Sequence, residues 1–166
     1  MTRTAAYAAL SAAVLGLYLV MVLWTLPAIK DAAGGLAPFD LRPFGYSVAE
    51  ARAFAETLSD YGRALYLGPQ HRLDTLFPAL LVVWSCWTLL KLLPRRVAVA
   101  LWAVVVLGMI GDYGENISVT SLLTQFDEAT AQAASRFTIV KSMASTLVYT
   151  VMIGALIALG LKRLRR

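Results

Sequence analysis

One cysteine, one histidine and charge on only 15% of positions set the first limits on this chain of 166 residues. Cys86 has no partner thiol, so an intramolecular disulfide, a thiol redox pair and a cysteine-rich metal centre are excluded. His71 is equally alone, which excludes bis-histidine haem ligation and a histidine-rich metal site, and the sequence gives no reason to expect a metal or cofactor. Neither a glycine-rich phosphate loop nor HExxH is present, and a single histidine leaves no Ser-His-acid order to assemble. The charged fraction lies far below the roughly 25% of an ordinary soluble domain. Hydrophobic residues take that place: they make up 59% of the chain, for a mean hydropathy of +0.68. This is the composition of an integral membrane protein.

Four apolar stretches, at about 5–27, 76–93, 97–117 and 142–161, are each long enough to span a bilayer. The first exceeds the roughly 7 to 15 apolar residues of a signal peptide, and "WTLPAIK" is a poor cleavage site, so it reads as a retained helix. The expected fold is all-α: a single membrane domain over 1–166, a four-helix transmembrane bundle with an extra amphipathic helix in the outer loop between spans one and two. "KLLPRR" forces spans two and three to be antiparallel neighbours, with Pro94 closing span two.

Basic residues orient the spans. Arg3, Lys91, Arg95, Arg96, Lys162, Arg163, Arg165 and Arg166 fall on one side, whereas all ten acids fall on the other side or at helix ends facing it. Lys and Arg set insertion, so both termini are expected to be cytoplasmic. The net charge of +5 thus reflects topology, and nucleic acid is not an expected partner. The lipid bilayer is.

The outer loop opens with the turn-rich "KDAAGGLAPFDLRPFGY", where Phe39, Phe44 and Tyr46 suit the headgroup layer. "SVAEARAFAETLSDYGRALYLGP" follows as a helix over about 47–67. Ser47 and Glu50 form a capping box, Phe54, Leu58, Tyr61 and Leu65 make an apolar stripe, and Gly68-Pro69 supplies a stop. The expected placement is across the outer mouth of the bundle.

A polar layer lies beneath that helix. Counting about 1.5 Å per residue from the basic anchors puts Asp74 and Asp112 level, about 25 and 24 Å from the inner boundary. Glu115 and Asn116 come one turn further out, and Lys141 is within side-chain reach of Asp112 and Glu115. Arg136 stands one to two turns above, and His71 sits at the entrance to span two. In "GMIGDYGEN", Gly108, Gly111, Asp112, Glu115 and Asn116 share one helical face. The glycines there either admit a close helix contact or leave a pocket beside the acids.

Each candidate has a purely structural reading beside the functional one. Asp74 can cap span two, and Asp112, Glu115 and Asn116 can pair with Lys141 for packing. The size, the four spans and the two aspartates resemble the layout of the lipoprotein signal peptidases, which are aspartyl proteases. No Asn-x-x-Asp precedes a span here, and "MIGD" lacks the Gly-x-Gly-Asp of prepilin-type and presenilin-type proteases, so proteolysis is set aside. "DYGEN" resembles the end of a span in small uncharacterised bacterial four-span proteins, which implies a bacterial inner-membrane location and supplies no activity. The function expected from the residues is binding of an amphiphile or a partner membrane protein through Asp74, Asp112, Glu115, Asn116 and Lys141, with Arg136 and His71 as further candidates and a homo-oligomer allowed. The alternative is an enzyme acting on a lipid-like substrate by carboxyl acid/base chemistry, or a small proton- or cation-coupled transporter.

Overall fold

A computed structural model describes residues 2–164; Arg165 and Arg166, counted above among the basic anchors, lie outside the described residues. Five helices carry the chain: α1 (Arg3–Ala32), α2 (Val48–Thr57), α3 (Asp60–Leu92), α4 (Arg95–Thr124) and α5 (Glu128–Leu164), with no strand among the described residues. All but α2 are long and apolar enough to cross a membrane. At 30 to 37 residues they run to about 45–55 Å, well beyond a hydrocarbon core of about 30 Å. The surplus lies at one end, beyond the apolar stretches. We call it the loop end, because it carries the 33–59 connection and the α4–α5 turn; the opposite, terminal end holds the start of α1, the turn at Pro94 and the end of α5.

The helix expected over about 47–67 is broken in two. α2 starts as read, with the Glu50 amide donating to Ser47 Oγ at 3.2 Å and the Ser47 amide to Glu50 Oε2 at 2.7 Å. It stops at Thr57 because the chain turns to meet the end of α1. Leu58 is extended, the Ser59 amide donates to the Ala32 carbonyl at 3.0 Å, and the Ser59 hydroxyl caps the next helix through the Gly62 amide at 3.3 Å.

The Gly68-Pro69 stop is also overridden. α3 passes through it by widening one turn, Tyr66–Gln70, to π geometry, which accommodates a residue with no amide proton. α1 widens in the same way at Met21–Thr25, just before Pro27, and the two widened turns pack together.

The molecule has two buried regions of different character. At the loop end, Ile29, Phe39, Phe54, Leu65, Leu122 and Ala134 are fully or almost fully enclosed, as in a soluble domain. Phe39, expected at the headgroup layer, is completely buried and plugs this core, whereas Phe44 is exposed. Burying one such ring stabilises by about 1.5–3 kcal/mol, roughly the cost of ordering one or two residues of the irregular segment around it. Toward the terminal end Leu89, Ala98, Val105, Val148 and Met152 form a smaller cluster. There the outward side chains, among them Leu15, Leu23, Val106, Ile110 and Ile153, are exposed. That is the surface a lipid-facing helix presents.

α4 packs most extensively on α5 and next on α3, while α1 leans on α3 and stands off α5. The glycines explain the first contact. A Cβ on Gly111 would lie 3.0 Å from the Lys141 backbone nitrogen and 3.2 Å from the Phe137 carbonyl, and one on Gly108 would lie 3.3 Å from Ala144 Cβ. Both outcomes open in the sequence occur: Gly111 admits the close helix contact, while Gly108 also borders a small recess beside Asp112.

Candidate functional site

The close approach at Gly111 brings Lys141 against α4, and its side chain extends toward the loop end. Nζ lies 3.3 Å from Asp112 Oδ1 and 3.3 Å from Asp40 Oδ1, and it pairs with Glu115 Oε2. Thr138, one turn before Lys141, donates to Glu115 Oε1. Three carboxylates, two from α4 and one from the loop, therefore share one ammonium.

Asp74 joins from α3. Its Oδ2 accepts from Gln70 Nε2 at 2.6 Å, its backbone carbonyl accepts from Asn116 Nδ2 at 3.0 Å, and Thr25 of α1 donates to Gln70 Oε1. Thr25 and Gln70 are the last residues of the two widened turns, which is how those turns reach the site. Asp74 does not cap a helix start; it sits well inside α3.

Asp40 is delivered by a single 3-10 turn, Phe39–Leu41, where Tyr66 donates to its Oδ2 at 2.7 Å. Phe39, Tyr46, Phe54 and Tyr66 pack ring against ring beside it, with centroid separations of 4.7 to 6.3 Å. The Arg42 guanidinium lies about 6 Å from three of those rings. Burial, reinforced by the nearby Glu115, holds the Tyr46 phenol well above the usual phenol range. Outside the spans two carboxyls move the other way. Glu50 is held below its usual range by the Ser47 amide and hydroxyl, and Asp127 by the amide and hydroxyl of Thr130.

A cleft of about 330 Å³ opens onto this cluster. Its walls come from α1 (Tyr18, Met21, Val22, Leu26), α3 (Gln70, Asp74, Phe77, Leu81) and α5 (Lys141, Ser142, Ser145, Tyr149), with Asp40, Leu41 and Asp112 completing it. It exists because α1 stands off α5. Asp112 and Lys141 keep 18% and 15% of their side chains exposed and face the cleft, whereas Glu115, at 1%, is sealed behind them. A small recess of about 30 Å³ continues beneath Asp112, bounded by Gly108, Val105 and Val148.

Of the seven candidates named from sequence, Asp74, Asp112, Glu115, Asn116 and Lys141 come together here. His71 does not: its Nδ1 lies 3.4 Å from Thr120 Oγ1, about one turn from Asp74 toward the loop end. Arg136 is exposed and makes no ion pair with the cluster among the described residues. Sequence reasoning missed Asp40, Gln70, Thr25, Thr138 and Tyr66. Asp40 and Gln70 lie next to proline- and glycine-rich stretches, where no periodicity reports a direction. No group of three or more His, Cys, Asp or Glu among the described residues is arranged to hold a metal ion.

Compared with known proteins, the chain matches no family model, no curated protein and no solved structure.

Proposed function

We propose that the chain is a four-helix transmembrane bundle, capped at the loop end by α2 and the 33–47 connection, which binds an amphiphile in the cleft between α1 and α5. The reading places both termini on the cytoplasmic side of a bacterial inner membrane, following the basic residues. The observation that carries it is the cleft: at one end it presents Asp40, Asp74, Asp112 and Lys141, and along its length Tyr18, Met21, Val22, Leu26, Phe77 and Leu81. A site of a few hundred cubic ångströms, mostly apolar with a few convergent polar groups, is the usual form of a small-molecule site.

Charge indicates the head. Three carboxylates share one ammonium and a fourth carboxyl, Asp74, lines the same cleft, so a head that donates hydrogen bonds or carries positive charge, an amine above all, complements the cluster. An anionic head does not. The standoff of α1 from α5 gives such a ligand a lateral entrance from lipid, so a tail need never cross water.

The test is lipid analysis by mass spectrometry of protein purified in a mild detergent, wild type beside Ser145→Trp, which fills the cleft from its α5 wall. The expected result is a discrete co-purified amphiphile, reduced at least tenfold in the variant at an unchanged melting temperature. A folded Ser145→Trp protein with the wild-type lipid content overturns the proposal.

A further inference from the structure

The gap between α1 and α5 does not end with the cleft. Toward the terminal end a second chamber, of about 340 Å³, is bounded by the same three helices: Tyr7 of α1, Trp84 and Thr88 of α3, and Met152, Ile153 and Leu156 of α5. Tyr149 lines the upper cleft, the recess beneath Asp112 and this lower chamber alike. The two spaces are therefore neighbours along one slot, with the Tyr149 ring between them.

Their chemistry differs. In the upper cleft Asp74, Asp112, Lys141, Ser142 and Ser145 face the space. In the lower chamber the polar groups are already matched to one another. Tyr7 and Thr88 hydroxyls lie 2.8 Å apart, Trp84 Nε1 donates to Ser11 Oγ at 3.0 Å, and the Lys91 ammonium sits 3.6 Å over the Tyr7 ring. An amine head entering there would find the hydroxyl partners already taken and the Lys91 ammonium repelling it, and would lose its hydration without replacement. A hydrocarbon tail loses nothing.

Length then selects among tails. Lys141 to Leu156 is fifteen residues of one continuous helix, about 22 Å. Half of a hydrocarbon core of about 30 Å is about 15 Å. A chain that begins at the polar cluster and fills both chambers is thus longer than one leaflet is deep.

Resting on the amphiphile reading above, we infer that the ligand is a long, slender, amine-headed amphiphile, with its head at Asp112 and Asp74 and a single hydrocarbon chain that passes Tyr149 into the lower chamber. Tyr149 is the element that sorts tails: short chains end above its ring, and long ones displace it. The two spaces, of about 330 and 340 Å³, lie in one seam among α1, α3 and α5, which suits one chain in preference to the paired chains of a bulk phospholipid.

The experiment uses the full chain in phosphatidylcholine nanodiscs with two photoreactive probes, dodecylamine and octadecylamine, each carrying a diazirine at the tail end, and maps the labelled peptides by mass spectrometry. Octadecylamine is expected to label Tyr7, Ile153 and Leu156, dodecylamine to label the Tyr18 and Tyr149 level, and excess unlabelled octadecylamine to reduce both at least tenfold. Ile153→Trp, at a half-exposed position, should cut octadecylamine labelling of Tyr7 and Leu156 at least tenfold and leave dodecylamine labelling intact. If both probes label only the upper level and are competed there, the long-chain inference is overturned and the amphiphile reading stands. Labelling spread over Val99, Val106 and Ile110 of α4 without competition means annular lipid only, and overturns both.

Discussion

At the residue scale everything turns on Lys141, the one cation among Asp40, Asp112 and Glu115. Removing one partner of a buried ion pair strands the other and costs about 3–5 kcal/mol. Lys141→Met is therefore expected to lower the melting temperature in detergent strongly, and adding Glu115→Gln should recover part of the loss, because Glu115 is the fully sealed member. Equal melting points for wild type and Lys141→Met would show that the cluster does not stabilise the fold. Asp112→Asn separates structure from binding. Asp112 is the partly exposed carboxylate on the cleft, so the amide should leave the melting temperature within a few degrees while at least halving co-purified amphiphile.

These same residues show what the sequence discloses. Counting about 1.5 Å per residue sets Lys141 about 7 Å beyond Asp112, whereas its backbone packs against Gly111; Asp74 and Asp112 could be placed level by counting along their helices. Asp40 could not, since "GGLAPFDL" has no period from which a direction can be read. Its place is set by Phe39 entering a core and by Tyr66 arriving from another helix. Gln70 was hidden behind a proline that normally ends a helix and here does not.

At the element scale the α4–α5 contact depends on absent side chains. Gly111→Ala introduces a methyl 3.0 Å from the Lys141 nitrogen, and overpacking of this kind costs about 1–3 kcal/mol. The expected result is a lower melting temperature and a weaker Lys141 cluster in the same variant. The breaks in α2 and α3 carry the complementary lesson. The capping box was legible because its two residues are local, but the stop at Leu58 comes from the Ala32 carbonyl, which no local pattern announces.

Acid should act first on helix starts at the loop end. The Ser47 amide holds Glu50 below its usual range, and the Thr130 amide does the same for Asp127. A carboxyl depressed on folding contributes stability above its unfolded pKa, and that contribution is lost as the pH falls through the folded value. Amide protection factors at the starts of α2 and α5 should therefore fall in acid before those of α4. Glu50→Gln keeps a capping partner and should remove the acid response of α2 alone; an unchanged response there would mean the box is not its source.

At the scale of the whole molecule, four helices are long and apolar enough to cross a membrane, and the proposed four-crossing arrangement puts the start of α1 and the end of α5 on one side and the 33–59 connection on the other. Single cysteines placed in a Cys86→Ser background test this with a membrane-impermeant thiol reagent. A cysteine at Arg42 and one at Glu128 should react from the same side, and one at Arg96 from the opposite side. Reaction of all three from one side would remove the four-crossing arrangement.

The loop-end core has a mechanical consequence. In the proposed four-crossing arrangement, helices whose surplus turns are locked into this packed loop-end core would resist sliding deeper into lipid or tilting independently to suit a thinner or thicker bilayer. Adjustment to bilayer thickness then falls on the lipid and on the less tightly joined terminal ends. In the proposed membrane placement such a head would work as a depth gauge, holding Asp74, Asp112 and Lys141 at a constant distance from the water boundary.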